Sequence, residues 1–275
     1  MRGLVAGTAA TALLISISGA ARAGDLAAAV AASGPGRGWV AWSVPGTERA
    51  ARTCCWSGDW RRVGCALAGG EENRGSSDRW RPAGAPQVLH VFAAIEKGVP
   101  VRLLAVGAAC PVEVAGERLV ELGDVPATES LALLERWSRG AARDGVRQAA
   151  LAALADHRAP AAAARLAAIG RDGASRELRS QALFWLAQTA DPRAGAWIRA
   201  AIGDDPDPEA REQAVFALSQ LDDATPELVA LLHEAREARV RRQALFWLAR
   251  SNDPRALAEL DRILNPDGRP GGAQP

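Results

Sequence analysis

The chain has 275 residues, of which 48% are hydrophobic and 24% charged. This composition is typical of a soluble globular protein with room for two modest domains. The 33 basic and 32 acidic residues leave a net charge of +1, and the two signs alternate over short distances in the second half. Because no basic stripe is present to neutralise a phosphate backbone, the charge pattern argues against nucleic-acid binding.

The first residues are typical of an export signal. Arg2 precedes an apolar stretch from Leu4 to Ser18, and Ala21-Arg22-Ala23 offers the small residues that a signal peptidase needs. The stretch is too short and too weakly apolar to span a bilayer core of about 30 Å. Residues 1–23 are therefore predicted to be a cleaved signal peptide. The mature protein is expected to be periplasmic or secreted, without stable membrane insertion.

A β-rich domain is predicted after a short lead. Residues 24–38 are rich in alanine and glycine, which predicts a flexible lead with little structure. From residue 39 to 123, short apolar runs alternate with turn residues, a pattern typical of strands. The runs at 88–95 and 101–106 indicate a hairpin. The polar stretch 69–87 is predicted to be a mobile loop.

All four cysteines lie in this β-rich part, at Cys54, Cys55, Cys65 and Cys110. In an oxidising compartment an even number of cysteines predicts disulfides. Bridging the adjacent pair needs a strained ring, so one of Cys54 and Cys55 is expected to pair with Cys65 and the other with Cys110. A metal site is the alternative, but the spacing matches no two-knuckle zinc pattern.

Five tryptophans are concentrated in the same region: Trp39, Trp42, Trp56, Trp60 and Trp80. Large rings either fill the core of a small domain or form a platform for a ligand. Trp39 and Trp42 are three residues apart, so a regular strand places them on opposite faces, and a core role is favoured for both. Trp56, Trp60 and Trp80 lie near loops and arginines, and for them both interpretations stand.

The second half of the chain repeats one helical unit. Four segments align without a gap and start 32, 32 and 30 residues apart, at 146–154, 178–186, 210–218 and 240–248. This is the spacing at which helix-turn-helix units stack into an open solenoid. An entry helix between Pro126 and Gly140, capped by Thr128 or Ser130, is predicted to begin a solenoid over residues 126–265. The breaker-rich residues 266–275 are predicted to be a disordered tail.

Helical periodicity within the units predicts which residues are buried. At about 100° per residue, Leu178, Ala182 and Leu186 lie on one stripe. An alanine shared by all four units suits the point where two helices approach most closely. Asp191 and Asp253 each precede a proline and an arginine at the start of a second helix, where an aspartate caps the helix N-terminus.

These residues resemble HEAT-like repeats, including the short bacterial kind found in phycobilin lyases. The matching pattern is an acid, a proline or small residue, Val/Leu-Arg, and then Ala and Leu three and seven positions after the arginine. Asp205 with Arg211, Ala214 and Leu218 meets it, although Ala210 stands where Val/Leu is expected. In that family the arginine-bearing helix usually lines the concave side of the solenoid. The resemblance therefore implies a fold and a binding surface, and it names no reaction.

Carried over to this chain, the family's binding side is the face that the buried stripe leaves free. This face presents a column of phenylalanines flanked by glutamines: Phe184, Phe216, Phe246, Gln181, Gln213 and Gln243. We predict that the column binds a protein partner. The alternative is that the rings pack between repeats.

An enzyme is not expected. Deoxyhypusine hydroxylase, which shares such repeats, has recurring His-Glu pairs for two irons, whereas this chain has the single pair His233-Glu234. A bilin lyase would work in the cytoplasm, which conflicts with export. The sequence also lacks a Gly-x-Ser-x-Gly elbow and a phosphate-cradling Gly-x-x-x-x-Gly-Lys motif.

The prediction is an α+β two-domain protein, with a small disulfide-containing β-rich domain followed by an all-α HEAT-like solenoid. Its predicted function is that of a non-catalytic exported scaffold or protein-binding module, without a cofactor or metal. The first alternative is an envelope sensor or accessory subunit that binds a small ligand in the tryptophan-rich domain. The second is a repeat-family lyase or metal-dependent oxidoreductase.

Overall fold

The computed structural model describes residues 25–32, 36–55, 64–68, 79–80, 87–114, 116–140 and 143–265. The predicted signal peptide at 1–23 and the predicted tail at 266–275 lie outside the described residues. So do Trp56, Trp60 and most of the predicted loop at 69–87.

Four strands form the main sheet in the order β5-β4-β1-β7. They are β1 (Gly38–Pro45), β4 (Val88–Glu96), β5 (Val99–Gly107) and β7 (Leu119–Asp124). β1 runs antiparallel to β4 and parallel to β7. The predicted hairpin is confirmed as β4 and β5. Its turn consists of Lys97 and Gly98 alone. Both residues have a positive φ, of 51° and 76°, which a two-residue hairpin turn of the mirror-image type requires.

A second, smaller sheet covers one face of the main sheet. Its strands β2 (Cys65–Ala66), β3 (Arg79–Trp80) and β6 (Val112–Glu113) lie in the order β2-β6-β3. Trp39 packs in this smaller core, whereas Trp42 packs in the larger core on the opposite face, against Trp137. The predicted opposite orientation is confirmed, and both rings are buried to within 1%. Neither is open to a small ligand.

Both disulfides lie beside the smaller sheet. Cys54 bonds Cys110 and Cys55 bonds Cys65, which is one of the two predicted pairings. The cysteine sulfurs pack with Trp39 in the smaller core. Each bridge joins the segment after the short helix at 48–52 to the smaller sheet, since Cys65 lies in β2 and Cys110 lies two residues before β6. The disulfides therefore hold that segment against the smaller sheet.

The remaining elements of the described residues are helices. Two short ones precede the array: α1 (Asp25–Ala31) and α2 (Glu48–Arg52). The others are α3 (Ala127–Arg139), α4 (Asp144–Asp156), α5 (Ala161–Asp172), α6 (Arg176–Ala187), α7 (Ala194–Asp204), α8 (Pro208–Ser219), α9 (Thr225–Glu234), α10 (Ala238–Arg250) and α11 (Pro254–Leu264). A β-containing region with disulfides therefore precedes a helical region, as predicted.

The array has two layers. The four aligned segments lie on α4, α6, α8 and α10, which contact one another in sequence, and α5, α7, α9 and α11 form the second layer. The predicted stripe faces between the layers, since Ala182 and Leu186 are fully buried and Leu178 is nearly so. Asp253 is the N-cap of α11 and accepts a hydrogen bond from the Arg255 amide at 2.8 Å, which confirms its predicted capping role. The prediction is wrong for Asp191: Arg193 occupies the N-cap position of α7, and Asp191 accepts from the amide of that residue at 2.9 Å, one position before the cap bond.

The prediction of a flexible lead is wrong for its first residues. Helix α1 lies there, and Leu26 and Val30, four residues apart, are buried in the larger core. The backbone N–H of Leu26 also donates to Glu129 in α3 at 3.3 Å. Alanine-rich sequence was interpreted as linker, yet two apolar residues at helical spacing are enough to hold this short helix against α3.

Ser130 does not cap α3, contrary to prediction. Pro126 occupies the N-cap position, without a side-chain bond, and Ser130 is fully buried. Its hydroxyl accepts a hydrogen bond from the Trp42 indole at 2.9 Å and lies 3.0 Å from Nε2 of His157. A buried indole needs an acceptor, so the serine joins the sheet to the first repeat.

The sheet and the array share one core. The larger core runs without interruption from Trp42 in β1 through α3 and α4 to the last helices. An ion pair reinforces this junction: Arg49 of α2 lies 2.8 Å from the buried carboxylate of Asp156 at the end of α4. Burial raises the pKa of Asp156, although Arg49 and Thr53 act in the opposite direction. The first repeat is therefore covered by the β region.

Candidate binding surface

An arginine recurs near the start of the first-layer helices, and in three of them it binds the end of the preceding helix. The guanidinium groups of Arg179, Arg211 and Arg241 each donate to the carbonyl six residues earlier, on Gly173, Asp205 and Ala235. These carbonyls belong to the residues that end the preceding second-layer helices. A cation at a helix C-terminus satisfies its open acceptors and opposes its dipole. The arginines therefore fix the turns.

Two of the same arginines also join one unit to the next. Arg179 binds Asp205, 26 residues later, through two hydrogen bonds of 2.7 and 2.9 Å, and Arg211 lies 2.8 Å from Glu237, again 26 residues later. Burial raises the pKa of Asp205, but the bonds from Arg179 and from the Asp207 amide outweigh it and lower the pKa overall. The link from Arg179 to Asp205 therefore has a counterpart in the next unit, with a glutamate as the acid.

The predicted phenylalanines lie on one surface. We call it the aromatic face and define it by Phe184, Phe216, Phe246 and Trp247. Phe184 stacks on Phe216 with ring centres 6.0 Å apart, Phe216 lies 5.2 Å from Trp247, and Trp247 lies 5.1 Å from Phe246. The rings contact one another between repeats, yet Phe216 and Phe246 remain 38% and 48% exposed.

A shallow groove of about 490 Å³ crosses the aromatic face between α8 and α10. Gln213 and Gln243 line it together with Phe216 and Trp247, whereas Gln181 is half-buried on α6 and is not part of the groove lining. The indole N–H of Trp247 is buried and has no hydrogen-bond partner among the described residues. Trp247 was not among the phenylalanines and glutamines predicted for the binding column, although it lines the groove.

Charged residues border the groove and are paired across repeats. Glu212 of α8 lies 3.2 Å from Arg239 of α10, and Glu209 of α8 forms an ion pair with Arg176 of α6. The rings therefore have a polar rim, the arrangement found around the centre of protein interfaces.

The aromatic face is closed at its beginning. Ala152 stands in α4 where the later units have phenylalanine, and Arg49 donates to its carbonyl at 3.4 Å. The same guanidinium lies 5.0 Å from the ring centre of Trp185, a cation–π contact. The column therefore opens only from Phe184 onward.

The remaining predicted site residues lie elsewhere. Trp80 belongs to β3 in the smaller sheet. His233 lies 2.6 Å from the buried Glu259 and links α9 to α11, so its neighbour along the chain, Glu234, is not its bonding partner. Among the described helices, none has the length and apolar character needed to cross a membrane.

The comparisons with known proteins concern the helical region. Residues 168–244 match the family described as HEAT repeats, and residues 240–265 match the family described as PBS lyase HEAT-like repeat. Residues 168–265 are therefore similar to HEAT-like repeats. The matches cover all or part of α5 to α11 and therefore include the three phenylalanines of the aromatic face. No curated protein matches the chain.

Proposed function

We propose that this protein is an exported, non-catalytic scaffold that binds a protein partner through the aromatic face of its HEAT-like repeats. The observation that carries this proposal is the exposure of Phe216 and Phe246 beside a groove. Aromatic rings at the centre of a polar rim are typical of residues that dominate binding energy. Repeat arrays use such extended surfaces for recognition.

Export is supported by two separate features. The first residues have the order of a signal peptide, and all four cysteines form disulfides, which persist in oxidising compartments. N-terminal sequencing of the protein from the cell envelope or medium tests the proposal. A chain that begins near Gly24 is expected, and retention of residues 1–23 would refute cleavage.

The partner surface is tested by affinity capture from the cell envelope with matched variants. Phe216→Ser with Phe246→Ser removes the exposed rings, and we expect at least about a tenfold loss of the captured partner. Val99→Ser, which changes a side chain that is 52% exposed on the sheet hairpin, is the control and should retain the partner. Thermal unfolding verifies that both variants fold. Equal capture by folded variants would refute the proposal.

A further inference from the structure

The last two helices expose more apolar surface than the rest of the array. Seven large hydrophobic side chains are exposed in the described part of the chain, and five of them lie on α10 and α11. One of the five, Phe246, belongs to the aromatic face. We define the end face by three of the remaining four, Leu245 of α10 and Leu257 and Leu264 of α11, together with Ala249 of α10, which is also exposed.

The repeats provide an internal comparison for the end face. The residues aligned with Leu245, which is 37% exposed, are Leu151, Leu183 and Val215, and none of these is more than 2% exposed. Ala155 and Ala187 are likewise buried, whereas the aligned Ala249 is exposed. The third unit has the half-buried Ser219 at this position. The position of Leu245 is therefore covered in every unit that another unit follows, and the position of Ala249 is at least partly covered. The sequence at the end of the array therefore keeps the chemistry of a stacking surface.

The second layer shows the same difference. Val229 lies three residues after the proline of α9 and is packed against the larger core. Leu257 lies three residues after the proline of α11 and is 57% exposed. Leu264, at the end of α11, is 77% exposed. A terminal repeat normally has a polar outer face, and apolar patches of this kind mark interaction sites.

The charges of the end face are balanced. Arg242 occupies the position at which Glu212 pairs with the following unit, and Asp261 occupies the position at which His233 binds Glu259. Within the described residues, neither Arg242 nor Asp261 forms an ion pair. One cation and one anion on a largely apolar surface suit a partner surface with the same composition, such as a second copy of this chain.

The described residues of the β region cover the opposite end of the array. Strand β5 packs against α4, Gly46 pairs with His157 as an isolated bridge, and Arg49 binds Asp156. A chain with a complementary surface at each end would assemble head to tail into open filaments, whereas a chain with a single open end pairs with itself and closes.

We propose that two copies of this chain associate through the end face, α10 and α11 of one copy against α10 and α11 of the other, to form a two-fold dimer. The dimer buries the leucines that are exposed on the last described unit. The end face shares no residue with the aromatic face, so we expect the assembly to carry two partner-binding surfaces.

Light scattering or analytical ultracentrifugation of the purified full chain tests this proposal. The wild-type protein is expected at twice the chain mass. Leu257→Glu should weaken dimerisation by at least about tenfold, because the interface would have to bury an unpaired carboxylate. Its side chain is mostly exposed, so the variant should unfold at nearly the wild-type temperature. Val99→Glu, which places the same charge on the sheet hairpin, should remain dimeric.

Three results would overturn the proposal. A monomeric wild-type chain would show that a different occupant, residues 266–275 or another protein, covers the end face. A dimer that is insensitive to Leu257→Glu would place the contact elsewhere. Assemblies larger than two copies would contradict two-fold closure.

Discussion

The ion pair between Arg179 and Asp205 is expected to be the strongest polar link between repeats. The two side chains are 12% and 4% exposed and share two hydrogen bonds. Removing one partner of a buried pair costs about 3–5 kcal/mol because the other charge is left unpaired. Arg179 still reaches water and the Gly173 carbonyl, so Asp205→Asn should lie near the lower limit, about 3 kcal/mol.

A double-mutant cycle in denaturant unfolding measures this link. Arg179→Met, Asp205→Asn and the double variant should give a coupling energy of about 2 kcal/mol. The control is the pair Arg176–Glu209, which also joins α6 to α8 but is 35% and 62% exposed. Its coupling should be below about 1 kcal/mol. If both pairs gave the same coupling, burial would not be the source of the difference and the reasoning would fail.

Two further predictions concern protonation and the disulfides. Burial lowers the pKa of His157 to about 4, so the unfolded chain, with an ordinary value of about 6.5, binds this proton more readily. The free energy of unfolding should be highest above pH 6.5 and fall by about 3 kcal/mol as the pH drops to 4. Thermal unfolding of His157→Gln at several pH values should show a flatter dependence of stability on pH. A smaller dependence should remain in this variant because burial also lowers the pKa of His90. A slope equal to that of the wild type would contradict the prediction. Replacing both cysteines of the Cys54–Cys110 bridge, which spans 56 residues, should destabilise the protein by about 4 kcal/mol. Replacing those of the Cys55–Cys65 bridge, which spans 10 residues, should cost about 3 kcal/mol, because a shorter loop restricts the unfolded chain less. Denaturant unfolding compares the two, and the reverse order would show that loop entropy does not dominate.

The array was predictable because its information is local and repeated. Helical periodicity placed Ala182 and Leu186 in the core and the phenylalanines opposite them, and the structure has both. The bonds of the recurring arginine were not predictable from one unit, because Arg179 binds a carboxylate in the next unit. A separation of 26 residues between arginine and acid is visible in the sequence, but the repeat pattern has its acid before the arginine and gives no reason to pair the arginine with an acid after it.

Contacts between the β region and the array were the least predictable part. Ser130 has the position of a helix cap, but the buried indole of Trp42 and the ring of His157 determine its role. Helix α1 resembles a linker in composition, and it is stabilised by packing against α3, a contact that its own sequence does not reveal. Trp247 lines the groove because the ring of Phe216 in the preceding repeat lies beside it. The pattern of a single helix does not reveal such a contact between repeats.

The arginine that fixes each turn lies only six residues from the carbonyl it binds. Each unit therefore contains both halves of the contact that sets its own geometry. During evolution such a segment can be copied or lost whole, and its bend is inherited with it. Arrays of different length can be built from this one sequence element, while the bonds across units differ: Arg179 binds Asp205 at the end of α7, and Arg211 binds Glu237 at the start of α10.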